Sequence, residues 1–184
     1  METTIIRSRR KTLGLEIGPE GLIVRAPLHL SEKRIEEFLA ARQDWIRSHA
    51  ERYAARQAAL STVEKLTPEE LCALVNAAKA ELPRRVAYFA PLVGVSYSRV
   101  SVRSQRSRWG SCSSRGSLSF NCLLMLAPPE VRDSVVVHEL CHRREMNHSP
   151  RFYAEVLRVF PDYKKWNKWL KENGDALLAR LPER

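Results

Sequence analysis

The chain lacks an apolar run of the ~20 residues needed to cross a bilayer, and it contains no internal repeat or low-complexity tract. A membrane span, a solenoid and a disordered linker are thereby set aside. Its opening, METTIIRSRRKTLG, carries Glu2 and several basic residues but no hydrophobic centre. It is not expected to act as a secretory leader, and the expected location is cytoplasmic. Cys72, Cys112, Cys122 and Cys141 form no CxxC pair, so a disulfide framework is not expected and reduced thiols are. No recognised nucleic-acid motif is present, and the arginines lack aromatic partners at stacking intervals.

What remains is a 184-residue chain with 44% apolar residues, enough for a true core. Its 31 basic and 21 acidic side chains give a net charge of +10. That charge fits a nucleic acid or nucleotide partner, or simply a soluble basic protein.

Two alternating runs, TLGLEI and GLIVRA, flank Gly18-Pro19-Glu20-Gly21 and predict an N-terminal hairpin. Ser31 then caps a helix expected to continue to about residue 60, with Ile35, Phe38, Leu39, Trp45 and Ile46 on one face. Thr67-Pro68-Glu69-Glu70 is a strong helix start, and Pro83 should kink or end that helix. VSYSRVSVR (95–103) and SLSFNCLLM (117–125) read as paired strands around a loop holding Trp109 and Gly110. Pro128-Pro129 opens a helix expected to run to Glu145. Ser149-Pro150 caps the next helix, and Asp162 starts the last. The division expected is residues 1–60, a hairpin and helix, and residues 61–184, a catalytic domain.

Within the Pro128-Pro129 helix lies HELCHRREMNH. His138 and His142 are four apart, so both imidazoles leave one helix face and can share a metal ion. Glu139 sits at the edge of that face, where it can take a proton from water activated by the metal. Val135, Val136, Val137 and Leu140 would anchor the helix in a core. Catalytic zinc sites usually take three protein ligands. His148 is the favoured third, because its spacing matches the pattern HExxHxxxxxH; Glu145 and Glu155 are rivals. Cys141 falls at a position that HExxH sites leave free.

Arg99, Arg103, Arg106, Arg108 and Arg115 crowd the strand–loop–strand segment. Arg106 or Arg108 could face substrate, or these arginines could keep a sheet edge soluble. Trp109 is expected as a core or cleft-wall residue. Asn121 is a candidate hydrogen-bond donor near the site, or a solvent-facing strand residue. Trp166 and Trp169 are read as packing residues, and His29 and His49, which have no partner pattern, as surface or helix residues.

SRWGSCSSRGSLSFNCLLMLAPPEVRDSVVVHELCHRREMNHSPRFY (107–153) closely resembles the YgjP-like metallopeptidases, relatives of the WLM and SprT-like zincins. RSRRKTLGLEI, GLIVRAP and RQDWI resemble that family's opening region. The resemblance implies an α+β fold with a minimal zincin-like core: a small antiparallel or mixed sheet packed on the HExxH helix. It implies one zinc ion on His138, His142 and His148, Glu139 as general base, and a peptide or protein substrate. Two departures stand out. Extracellular three-histidine zincins place glycine where this chain has Glu145, and Arg143 replaces an apolar residue common in YgjP-like chains. A metal-dependent nucleotide or phosphoanhydride hydrolase, and a nucleic-acid-associated protease or binding module, are the alternative readings.

Overall fold

The computed structural model describes residues 1–182; the chain divides into two compact units, the first Met1–Thr62 and the second beginning at Val63. In the first, β2 (Gly14–Gly18) and β3 (Gly21–Pro27) form the expected hairpin. Gly21 closes it at φ 122°, and a Cβ there would strike the backbone of Glu2. A strand the sequence did not announce, β1 (Thr3–Ser8), pairs parallel to β3, so the sheet order is β1-β3-β2. Every residue of β1 is exposed, which explains why it carries no apolar alternation. The expected long helix is two helices, α1 (Glu32–Ala40) and α2 (Gln43–Ser61), separated where Arg42 leaves helical geometry at φ −126° and ψ 18°. A straight helix would hold Ile35 and Ile46 about 16 Å apart along its axis. The break lets both join one small core with Leu22, Val24 and Ala26.

The second unit begins with α3 (Pro68–Val93), capped as expected: Thr67 Oγ1 accepts from the Glu70 N–H, and the Glu70 carboxylate accepts from the Thr67 N–H. Pro83 does not end this helix. A mid-helix proline costs about 3 kcal/mol locally. Here Ala78, Leu82, Val86, Phe89, Ala90 and Val93 form a continuous buried stripe, and that packing outweighs the lost hydrogen bond. The helix stops at Gly94, which adopts φ 77°.

The sheet that follows is mixed, in the order β4-β6-β5. β4 (Arg99–Arg103) runs parallel to β6 (Ser117–Asn121), whereas the antiparallel hairpin partner of β6 is the short β5 (Gly110–Cys112). The expected hairpin of β4 with β6 is thus corrected. Residues 122–125, read as strand, form part of a 3-10 turn (Cys122–Leu126). Val100, Val102, Leu118 and Phe120 point to one face of this sheet and join the core.

Helix α4 (Pro129–Cys141) carries Val131, Val135, Val136, Val137 and Leu140 into that core. It is tied to α3 by a two-pronged bond from Arg85 to the Asp133 carboxylate, with Nε donating at 2.6 Å. It ends at Cys141, four residues before the expected Glu145, because tight turns follow: the Arg143 N–H donates to the Leu140 carbonyl and the Arg144 N–H to that of Cys141. Helices α5 (Pro150–Val159) and α6 (Tyr163–Ala179) complete the α+β unit. Ser149 caps α5 by accepting from the Phe152 N–H, while Asp162 at the start of α6 makes no side-chain cap. All four cysteines are free thiols. Among the described residues no helix is long and apolar enough to cross a membrane.

Candidate metal centre

The early end of α4 brings the three histidines together. His138 and His142 lie on the last turn and cap of the helix, and the chain then folds back through residues 143–148. His148 Nε2 comes to 3.0 Å from His138 Nε2, which is 3.2 Å from His142 Nε2. Ligand atoms of the three residues all lie within 4.8 Å of one another, and among the described residues they are the one such group. The turn needs no left-handed residue. The backbone carbonyl of Glu145 lies 3.1 Å from His142 Nδ1.

The outer nitrogens of two rings are thus engaged. His142 Nδ1 faces that carbonyl, and His138 Nδ1 lies 2.8 Å from the Tyr163 hydroxyl on α6. Such bonds fix the tautomer that leaves Nε2 free to bind a metal. Phe152 of α5 packs among the three rings, 4.6 Å from His142 and 4.9 Å from each of the others. Burial, followed by repulsion from His142 and His148, lowers the His138 pKa to about 3. Burial also lowers that of His142, partly opposed by the Glu145 carbonyl. Both rings are therefore neutral near pH 7, the form a metal requires.

Glu139 is buried, with 6% of its surface exposed. Its carboxyl lies against Gly110 of β5, where a Cβ would stand 2.6 Å from both Cγ and Oε1. Burial raises its pKa to about 8. A cleft of about 260 Å³ exposes His138 and Glu139 between Trp109 and Gly110 on one side and Tyr163, Asn167 and Leu170 on the other. Trp109 forms the wall, its indole packed on Gly174 of α6.

The rival ligands are otherwise occupied or placed. Glu155 accepts from Arg144 at 3.0 Å and from Arg158 at 2.9 Å, and those contacts hold its carboxyl below the usual range. The Glu145 carboxylate lies outside the group of converging ligand atoms. Of the loop arginines, Arg108 borders the cleft. Arg106 instead lines a neighbouring hollow and donates to the Pro182 carbonyl.

Asn121 does not face solvent. It is fully buried; its amide donates to the Gln105 carbonyl at 2.6 Å and the Arg108 carbonyl at 2.9 Å, and its oxygen accepts from the Leu123 N–H. It holds the arginine loop in place. Arg143 is also more than a surface residue, since it donates to the Ser96 and Ser114 carbonyls. His49 stacks on Trp45 in the first unit. Trp166 and Trp169 pack against the main core.

Sequence reasoning missed Tyr163, Phe152 and Gly110. Tyr163 is 25 residues from His138 and gave no spacing signal. Gly110 reads in the sequence as part of a loop; it lies on the short strand β5 instead, where a glycine often marks close approach.

The YgjP-like metallopeptidase domain matches this chain over residues 11–74 and 72–173. Two solved structures are similar to it, both metallopeptidase zymogens. Abylysin of Pyrococcus abyssi is 19% identical with a TM-score of 0.45, covering 50% of this chain and 93% of that one. Jannalysin of Methanocaldococcus jannaschii is 16% identical with a TM-score of 0.45, covering 50% of this chain and 96% of that one. No curated protein matches. The family match spans the HExxH helix and most of the remaining chain, so the chain belongs to the YgjP-like metallopeptidase family and is a metal-dependent peptidase.

Proposed function

We propose that the metal is zinc, held by His138, His142 and His148, and that Glu139 is the general base of peptide hydrolysis. The observation that carries this reading is the convergence of three Nε2 atoms beside a buried carboxyl that opens into a cleft. Three imidazoles, two of them with oriented Nδ1 groups, form a donor set that suits zinc. Bound there, zinc would act as a Lewis acid that lowers the pKa of water, polarises a carbonyl and draws the Glu139 carboxyl back to its ionised form.

The protein's own groups do the rest. Glu139, held against Gly110, has an environment that raises its proton affinity, so it takes the proton of the attacking water and passes it to the leaving amine. β5 lies at the edge of its sheet, and a substrate backbone can pair with that edge in extended form. Trp109 and Tyr163 then flank the scissile bond. The Tyr163 hydroxyl accepts from His138 Nδ1–H and keeps that ring in its ligand tautomer.

The test is Glu139→Gln. It is expected to retain zinc and to lose peptidase activity by about a hundredfold or more. Full activity in this variant would remove Glu139 from the role. Release of phosphate from nucleoside triphosphates by the wild type, with no peptide cleaved, would replace the peptidase chemistry with phosphoanhydride hydrolysis.

A further inference from the structure

The second sheet has two contrasting faces. Its core face is apolar, whereas Arg99, Ser101 and Arg103 recur at every second position of β4 on the opposite side. Register places Ser101 beside Ser119 and Ser119 beside Ser111, a row of hydroxyls across all three strands. With Arg108 and Arg115 at its margins, this face lines an open groove of about 660 Å³.

No carboxylate lines this groove. An ordinary solvated sheet face mixes both signs, because like charges on neighbouring strands repel. Here four arginines share the groove, and the guanidinium groups of Arg103, Arg108 and Arg115 have no ion-pair or hydrogen-bond partner among the described residues. The Ser119 hydroxyl in the middle of the row is covered and has no hydrogen-bond partner among the described residues. The groove thus offers positive charge with no carboxylate to neutralise it.

It also adjoins the metal centre. Arg108 borders both the groove and the cleft of His138 and Glu139. On β5, Gly110 touches Glu139 while its neighbour Ser111 faces the groove. A chain that leaves the cleft past β5 therefore enters the groove directly.

We infer that this serine and arginine face is an exosite for an acidic, Asp- and Glu-rich segment of the polypeptide substrate, flanking the bond to be cut. Guanidinium groups bind carboxylates in pairs of hydrogen bonds, and those of Arg103, Arg108 and Arg115 are not otherwise engaged among the described residues. A single-stranded nucleic acid fits less well, because no aromatic side chain lines the groove for bases to stack on. The substrate role rests on the peptidase reading; the charge preference does not.

The experiment separates the two. Full-length Glu139→Gln protein is titrated with fluorescent peptides of equal length, one Asp- and Glu-rich and one uncharged, and with a single-stranded oligonucleotide. The acidic peptide is expected to bind roughly tenfold more tightly than the uncharged one, with affinity falling as salt rises. Arg99→Ser, Arg103→Ser and Arg115→Ser combined in that background should abolish the preference while leaving the circular dichroism spectrum and zinc content unchanged. Equal binding of the two peptides, tighter binding of the oligonucleotide, or an unaltered preference in the triple variant would overturn the proposal. If zinc-loaded wild type binds the acidic peptide but cuts only the uncharged one, the substrate role alone is overturned; if it cuts neither, the peptidase reading is overturned and the charge preference stands.

Discussion

Replacing Gly110 with alanine should disable the enzyme without emptying its metal site. A Cβ at this position stands 2.6 Å from Glu139 Cγ and Oε1 and 2.8 Å from Cδ. Restoring ordinary contact at 3.4 Å requires a retreat of about 0.8 Å by one partner. Glu139 has little room to move, being buried on a helix whose Val136, Val137 and Leu140 are fully packed. Gly110 is equally constrained, because its strand pairs with Phe120 of β6. Overpacking of this kind costs about 1–3 kcal/mol of stability. A displacement approaching 1 Å in a reacting group costs on the order of a hundredfold in rate. Gly110→Ala should therefore lower kcat/KM about a hundredfold on a peptide substrate, with zinc content retained and Tm lowered by only a few degrees. The assay is steady-state hydrolysis with parallel elemental analysis and thermal melting. Wild-type kcat/KM in this variant would refute the placement of Glu139, and loss of activity accompanied by loss of zinc would show that the whole site had shifted instead.

Three further outcomes follow from other contacts. Tyr163→Phe removes the partner of His138 Nδ1 at 2.8 Å; zinc affinity should fall about 10–100-fold in chelator competition, and an unchanged affinity would mean that the ring is oriented by packing alone. Asn121→Ala deletes three hydrogen bonds of a fully buried side chain; urea unfolding should show a loss of about 2–4 kcal/mol, and a loss within ~0.5 kcal/mol would contradict its role in holding the loop. The Glu155 carboxyl is held below its ordinary value chiefly by Arg158, with Arg144 adding to it. A depressed carboxyl contributes stability above its unfolded pKa of 4.5 and loses it as pH falls through the folded value. The stability gap between wild type and Glu155→Gln should therefore close on acidification below that pH, and a gap as large at pH 3 as at pH 7 would disprove it.

The parts of the fold written locally were legible. Thr67-Pro68-Glu70 and Ser149-Pro150 declare helix starts through side-chain caps, and these form as expected. The spacing of His138 and His142 dictates a shared face once the segment is helical. What was hidden depends on distant partners. β1 has no pattern because it buries nothing, and its parallel pairing with β3 is a long-range event. Pro83 reads as a breaker locally but lies in a helix stabilised by six buried apolar residues. α4 stops short because the tight turns after Cys141 are held from outside: Arg143 reaches the carbonyls of Ser96 and Ser114, and Arg144 that of Val93. Asn121 reads as a donor near the site or a solvent-facing strand residue, because the carbonyls its amide reaches, those of Gln105 and Arg108, lie 16 and 13 residues away.

Elemental analysis of untagged protein tests most directly whether the three histidines hold zinc. Wild type should carry about one zinc per chain, and His148→Ala should lose it or bind it far more weakly. Protein that takes up no zinc even when zinc is supplied, or a His148→Ala variant that holds it as tightly as wild type, would contradict the account.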